Sequence, residues 1–225
     1  MNSKEYCKQV IKENLLIRKL TPEVTVVDDG SPLVSLKDKG LNLIYESSIM
    51  PDYSYMVRED VVQKLGRISK ALEAEGKLLI IRSVWRSFAH QRLIWDNKVK
   101  SLQEQFPDKA IEEIKEMVSC FIAPEIKSMH ATGGAVDALI YDGAKDCVLD
   151  FGTNDGLKID LNEKCYPNHP DISDEAKKNR ALLIDLFEKE DFVVDVKEYW
   201  HFDFGNAVWA IKKKKLHAKY DVIKT

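Results

Sequence analysis

The chain reads as an α+β protein with a mainly antiparallel sheet. Two observations carry this. Some segments repeat their apolar residues at three-to-four spacing, as helices do, while others run or alternate as strands. Helices and strands are mixed without a regular β-α-β rhythm, which argues against a doubly wound parallel sheet. No repeat, low-complexity block or Pro/Gly/Ser-rich linker divides the 225 residues, of which 44% are hydrophobic. That is enough for one substantial core, so residues 1–225 are read as a single domain.

Taken in order, Lys4 to Leu20 predicts a helix with a loose apolar stripe of Val10, Ile11, Leu15 and Ile17, ended by Thr21-Pro22. Val24 to Val27 reads as a short strand before the Asp28-Asp29-Gly30 turn. Arg58 to Glu75 is the strongest helical pattern, with Val61, Leu65, Ile68 and Leu72 on one face and Gly76 as its stop. Leu78 to Val84 then reads as a buried strand. A helix from Pro107 to Phe121 would turn Ile111, Ile114, Val118 and Phe121 inward. Ala135 to Tyr141 has strand character. Asp174 to Lys189 predicts a helix capped by Ser173, with Ala176, Leu183, Leu186 and Phe187 toward the core. Phe192 to Val196 and Trp200 to Phe204 form the last two strands, joined at Lys197-Glu198-Tyr199.

Composition excludes several classes. A formal net charge of -3 supplies no field for nucleic acid. No apolar run approaches the roughly 20 residues that span a bilayer, so no membrane partner is expected. Met-Asn-Ser-Lys-Glu-Tyr-Cys lacks the apolar core of a signal peptide, so a cytoplasmic chain is expected. Cys7, Cys120, Cys147 and Cys165 are scattered without a C-x-x-C pair and read as structural thiols of a reducing compartment. The run Lys212 to Lys215 reads as a solvated helix end. Oligomeric state leaves no mark on the sequence.

Two short segments carry chemistry: Ser128-Met-His-Ala-Thr-Gly-Gly-Ala-Val-Asp137 and Glu198-Tyr-Trp-His-Phe202. Two imidazoles and a carboxylate, here His130, His201 and Asp137, are the ligand set of a catalytic zinc that keeps one position open. A second carboxylate, Glu198, suits the general base of metal-assisted hydrolysis. Gly133-Gly134 lets the backbone turn tightly between His130 and Asp137. Asp137 lies within an apolar strand, where an unpaired carboxylate calls for a cation. The bland alternatives are that Asp137 pairs with an arginine, that His130 sits on a surface turn, and that Glu198 is solvated. Trp200 and Phe202 alternate with His201 and face the core. The other three of the five histidines, His90, His169 and His217, read as surface or capping residues. Arg82 and Arg86 share one side of their strand. Arg86 suits a developing negative charge, and Arg82 suits a structural ion pair.

The pattern Ser-x-His-x-x-Gly-x-Ala-x-Asp, followed downstream by Glu-x-Trp-His, resembles the zinc D-alanyl-D-alanine peptidase family. Its nearest branch is the vancomycin-resistance type of D-Ala-D-Ala dipeptidase. The resemblance runs from Met56 to Gly205 and leaves residues 1–55 weakly matched. It implies a small central sheet with zinc on its face and helices outside. It also implies one zinc per chain on His130, Asp137 and His201, with Glu198 as base and Arg86 steadying the oxyanion. The family's Gly-Tyr-Arg-Pro is replaced here by Val84-Trp85-Arg86-Ser87. Ser128 matches a serine that lines the family's substrate site. Phe151-Gly152-Thr153 resembles a segment that precedes a Phe-Asp pair holding the substrate amine. Here Asn154-Asp155-Gly156 follows, so Asp155 is the nearest acidic candidate, with Asp160 another. The expected function is hydrolysis of the D-Ala-D-Ala dipeptide. A carboxypeptidase or L,D-endopeptidase on longer wall peptides, and a wall-peptide-binding module without catalysis, are the alternatives.

Overall fold

The computed structural model describes residues 1–224 except Pro51, Cys120, Phe121, Glu125 and Ile126. Its first element, α1 (Ser3–Leu20), is started by Asn2, whose side chain accepts from the Glu5 backbone in a reciprocal capping box. Its buried stripe differs from the expected one. Cys7 and Val10 are buried and Ile17 is half-buried, while Ile11 and Leu15 face solvent. The true stripe runs through Tyr6, Cys7, Val10, Asn14 and Ile17, and polar Asn14 hides it from a hydrophobic count. Val24 to Val27 forms no strand. It is extended and makes one parallel bridge, Val26 to Ala218, because the segment beside it is irregular.

Short β1 (Leu33–Ser35) pairs antiparallel with β3 (Met56–Arg58). Next come β2 (Leu43–Tyr45), α2 (Glu59–Glu73) and β4 (Lys77–Ser83). As its spacing predicts, α2 buries Val61, Leu65, Ile68 and Leu72. Helix α3 (Phe88–Gln105), capped by Ser87, was not anticipated. It buries only His90 and Gln91, so its polar inner face gives no apolar period. The helix expected from Pro107 is the shorter α4 (Ile111–Ser119), since Pro107 lies in the preceding turn and Phe121 lies outside the described residues.

Strand β5 (Ala135–Asp142) leads through β6 (Cys147–Val148) to a hairpin of β7 (Asn154–Asp155) and β8 (Lys158–Ile159). Helix α5 (Asp174–Lys189) carries the expected cap, with Ser173 Oγ accepting from the Ala176 amide at 3.0 Å. Then follow β9 (Val193–Val194), β10 (His201–Asp203) and α6 (Ala207–Lys212). The main sheet has the order β2-β4-β5-β10-β9, with β6 also on β5. Only β2 and β4 run parallel, so the sheet is mixed and mainly antiparallel.

Leu79, Ile80, Ile81, Val136, Leu139, Phe187 and Phe202 fill the core around this sheet. Phe202 stacks on Phe187 with ring centroids 3.8 Å apart, the inward face expected for it. Cys7 and Cys165 are buried and free, Cys147 is exposed and free, and Cys120 lies outside the described residues. The lysine run does close a helix: Lys212 Nζ donates to the Val194 carbonyl and Lys213 pairs with Asp191. Among the described residues no helix is long and apolar enough to cross a membrane.

Candidate active site

Adjacent strands in fixed register bring the distant half-motifs together. Asp137 on β5 stands opposite His201 on β10, and on its other side opposite Ser83 at the end of β4. His130 arrives from the 3-10 turn Met129–Thr132, which ends on Gly133 with φ of 77°. Gly134 then runs against the Phe204 backbone, where a side chain would collide with the Phe204 carbonyl and, at 2.8 Å, with the Tyr220 ring. The glycine pair is thus required once for a left-handed turn and once for close approach.

The ring nitrogens have forced roles. His130 Nδ1 lies 2.7 Å from the Val84 carbonyl, which can only accept, so Nδ1 donates. That leaves His130 Nε2 facing Asp137 Oδ2 at 3.2 Å. His201 Nε2 lies 3.2 Å from Asp203 Oδ1, which again can only accept as a carboxylate. His201 Nδ1 therefore faces Asp137 Oδ1 at 2.9 Å. In neutral rings both inward nitrogens carry lone pairs, aimed at a carboxylate that is 6% exposed. Such an arrangement could hold a cation at its centre, since ligand atoms of His130, Asp137 and His201 all lie within 4.8 Å of one another. The donor set, two imidazoles and one carboxylate, fits zinc.

With only protons to share, the cluster polarises itself. Burial would raise Asp137, yet His130, His201 and Arg86 outweigh it and hold the carboxyl well below its usual range. Burial, aided by Arg86, pushes His130 down to about 4. Burial would also lower His201, but Asp203 and Asp137 together hold it well above its usual value. Half-buried Glu198 is pushed up to about 8, first by desolvation and then by Asp195. A divalent cation beside it would reverse that shift and free the carboxylate as a base.

A short loop aims Glu198. Asp195 Oδ1 accepts from the Lys197 and Glu198 amides at 2.7 and 3.1 Å. The Tyr199 amide donates to the Cys165 carbonyl, and Tyr199 stacks on Phe151. Arg86 Nη2 donates to Asp137 Oδ2 at 2.6 Å, Nε to Ser83 Oγ at 2.7 Å, and Nη1 reaches Gln91 Oε1 at 3.3 Å. Asp137 thus pairs with an arginine and with both histidines together. Arg82 makes the structural ion pair expected of it, with Glu46.

His130, Asp137, His201, Glu198, Arg86 and Ser128 all line one cleft of about 910 Å³. Asp155 does not. It is exposed on the β7–β8 hairpin, and the acidic residues lining the cleft besides Asp137 are Glu46, Asp195, Glu198, Asp203 and Asp221. Two of the three histidines read from sequence as surface or capping residues are buried. His90 is buried and lines the cleft, and His169 is buried against Tyr6. Asp203 was missed as well, although its place two residues after His201, on the same face of the strand, marks it.

A family model described as D-Ala-D-Ala dipeptidase, peptidase family M15, matches residues 42–221. The chain belongs to the M15 D-Ala-D-Ala dipeptidase family. The match starts before Met56 and takes in the sheet from β2 onward. The M15 chain is 23% identical over 152 residues to the D-alanyl-D-alanine dipeptidase of Escherichia coli K12, covering 68% of each. It is 22% identical over 229 residues to that of Synechocystis sp., covering 89% of this chain and 92% of the relative. Among solved structures it is similar to the vancomycin-resistance D,D-pentapeptidase VanY with Zn(II), at 16% identity and a TM-score of 0.48, covering 83% of this chain and 90% of that one. As M15 is a zinc metallopeptidase family, the protein is a peptidase.

Proposed function

We propose that this M15 chain is a single-domain, zinc-dependent dipeptidase that hydrolyses D-alanyl-D-alanine to D-alanine in cell-wall peptide metabolism. The observation that carries the reading is the pair of inward imidazole nitrogens facing buried Asp137, with Glu198 lining the same cleft. In this reading His130, Asp137 and His201 hold one zinc ion per chain. Zinc, when bound, supplies Lewis acidity toward water and the scissile carbonyl. Glu198 takes a proton from the attacking water and hands it to the leaving amine. Arg86, anchored by Ser83 and Gln91, presents positive charge where the tetrahedral oxyanion develops. Ser128 lines the substrate side of the cluster.

A second reading, cleavage of longer wall peptides, is favoured by the size of the cleft. It encloses about 910 Å³, and Ile17 and Arg18 on α1 and Ile94 on α3 line it together with the cluster. Pockets of about 300–1,000 Å³ hold drug-sized ligands, which are larger than a dipeptide. Zinc-loaded protein assayed on free D-Ala-D-Ala, its N-acetylated form, a longer peptide ending in D-Ala-D-Ala, and L-Ala-L-Ala separates the readings. Cleavage of the free D,D-dipeptide alone is expected. Preference for the blocked or longer peptide would replace the dipeptidase with a carboxypeptidase. Zinc-loaded protein that binds these peptides and cuts none would favour a binding module.

A further inference from the structure

Asp203 is a buried carboxylate with an unusual set of partners. It is 1% exposed, and among the described residues no lysine or arginine pairs with it. Its Oδ1 accepts from Asn206 Nδ2 at 2.6 Å and faces His201 Nε2 at 3.2 Å. Asn206, fully buried, caps α6 through its side-chain oxygen, which accepts from the Trp209 amide at 3.1 Å. That bond leaves Asn206 no freedom to flip, so its amide NH2 must point at Asp203.

Donor and acceptor directions are therefore forced in sequence, from the N-terminus of α6 to the cluster. Asn206 donates to Asp203, His201 Nε2 donates to Asp203, and in the neutral ring that a metal binds His201 Nδ1 is left as the lone pair facing Asp137. We infer that Asp203, held by Asn206, is the positioning residue that selects the ligating nitrogen of His201 and strengthens its grip on the metal. The inference rests on the metal reading of His130, Asp137 and His201, but not on the identity of the peptide that is cut. A carboxylate behind an imidazole fixes its tautomer and orientation and makes the opposite nitrogen more basic. His130 makes do with the neutral Val84 carbonyl in the corresponding place, so the charged support is confined to one of the two rings.

The test is zinc affinity, read by chelator competition on the full chain at constant pH, with hydrolysis left out. Asp203→Asn keeps the size of the side chain and an oxygen to accept from Asn206, but removes the charge. It is expected to bind zinc about 10–100-fold more weakly than the parent. A near-ultraviolet circular dichroism spectrum like the parent's would show that packing is retained. The ¹⁵N shifts of His201 in zinc-loaded parent should show Nε2 protonated and Nδ1 bare. Should Asp203→Asn not fold, the parent's ¹⁵N shifts still decide. Affinity in Asp203→Asn within about twofold of the parent, against the larger loss expected of an outer-shell carboxylate, would overturn the inference, as would a parent spectrum with Nδ1 protonated. A parent that takes up no zinc overturns the metal reading along with it. Zinc-loaded parent that cuts no D-Ala-D-Ala would remove only the dipeptidase reading.

Discussion

On the polar wall of the cleft, His130, Asp137 and His201 hang from paired strands and a glycine-braced turn, and both ring nitrogens of each histidine face a named partner. On its apolar wall, Ile94 of α3, Ile122, Ala123 and Pro124 present half-buried side chains. The first wall is over-determined: moving one group strands another without its partner. The second can be repacked at little penalty. The chemistry of such a protein is therefore more tightly specified by its structure than the length of peptide it accepts.

The largest break in this contrast comes from Glu198. Glu198→Gln should lower turnover by about 10²–10⁴-fold, the usual worth of a general base, while zinc content by elemental analysis stays at the parent level. A variant with near-normal turnover would remove Glu198 from the mechanism. Gly134→Ala tests the bracing of the turn. The added methyl would meet the Phe204 carbonyl and Tyr220, so a loss of about 1–3 kcal/mol in chemical denaturation is expected. Unchanged stability would show that the turn can shift without harm.

Zinc uptake should be proton-linked. In the zinc-free cluster His201 is held above its usual pKa and Glu198 stands at about 8, so both bind protons at neutral pH. Zinc must displace the His201 proton, and its charge expels that of Glu198. Affinity then rises with pH between 6 and 8 by about tenfold per unit for each proton released. Calorimetry in buffers of different ionisation enthalpy checks the sign, and a pH-independent affinity would contradict it. The smallest effect is expected on the other side of the comparison. Asp155→Ala, on the exposed hairpin, should change KM for D-Ala-D-Ala by less than about twofold, as surface substitutions usually do. A larger rise would bring that hairpin into substrate binding.

The same contrast explains what could be read from the sequence. That His130, Asp137, His201 and Glu198 meet in one cleft was legible because each pair sits within a few residues and strand register does the rest. The face of α2 was legible because packing imposes a clean period on Val61 to Leu72, and that of α5 through Ala176, Leu183 and Phe187, although buried Arg180 interrupts it. Helix α3 escaped because its inner face is a cleft wall of His90, Gln91 and Ile94 rather than a core stripe. The α1 stripe was misread for a similar reason, since Asn14 turns toward the cleft. Asp155 was chosen by its distance along the chain, whereas the β7–β8 turn carries it to the surface. Residues that act through neighbours in space, such as Asp203 with Asn206, declare themselves only through hydrogen-bond geometry.

The central claim is that a metal held by His130, Asp137 and His201 makes this cleft hydrolytic. The most direct measurement is release of D-alanine from D-Ala-D-Ala before chelation, after chelation, and after zinc is returned. The account predicts activity that disappears with the metal and comes back with one zinc per chain. Release of D-alanine that survives complete removal of metal would contradict it.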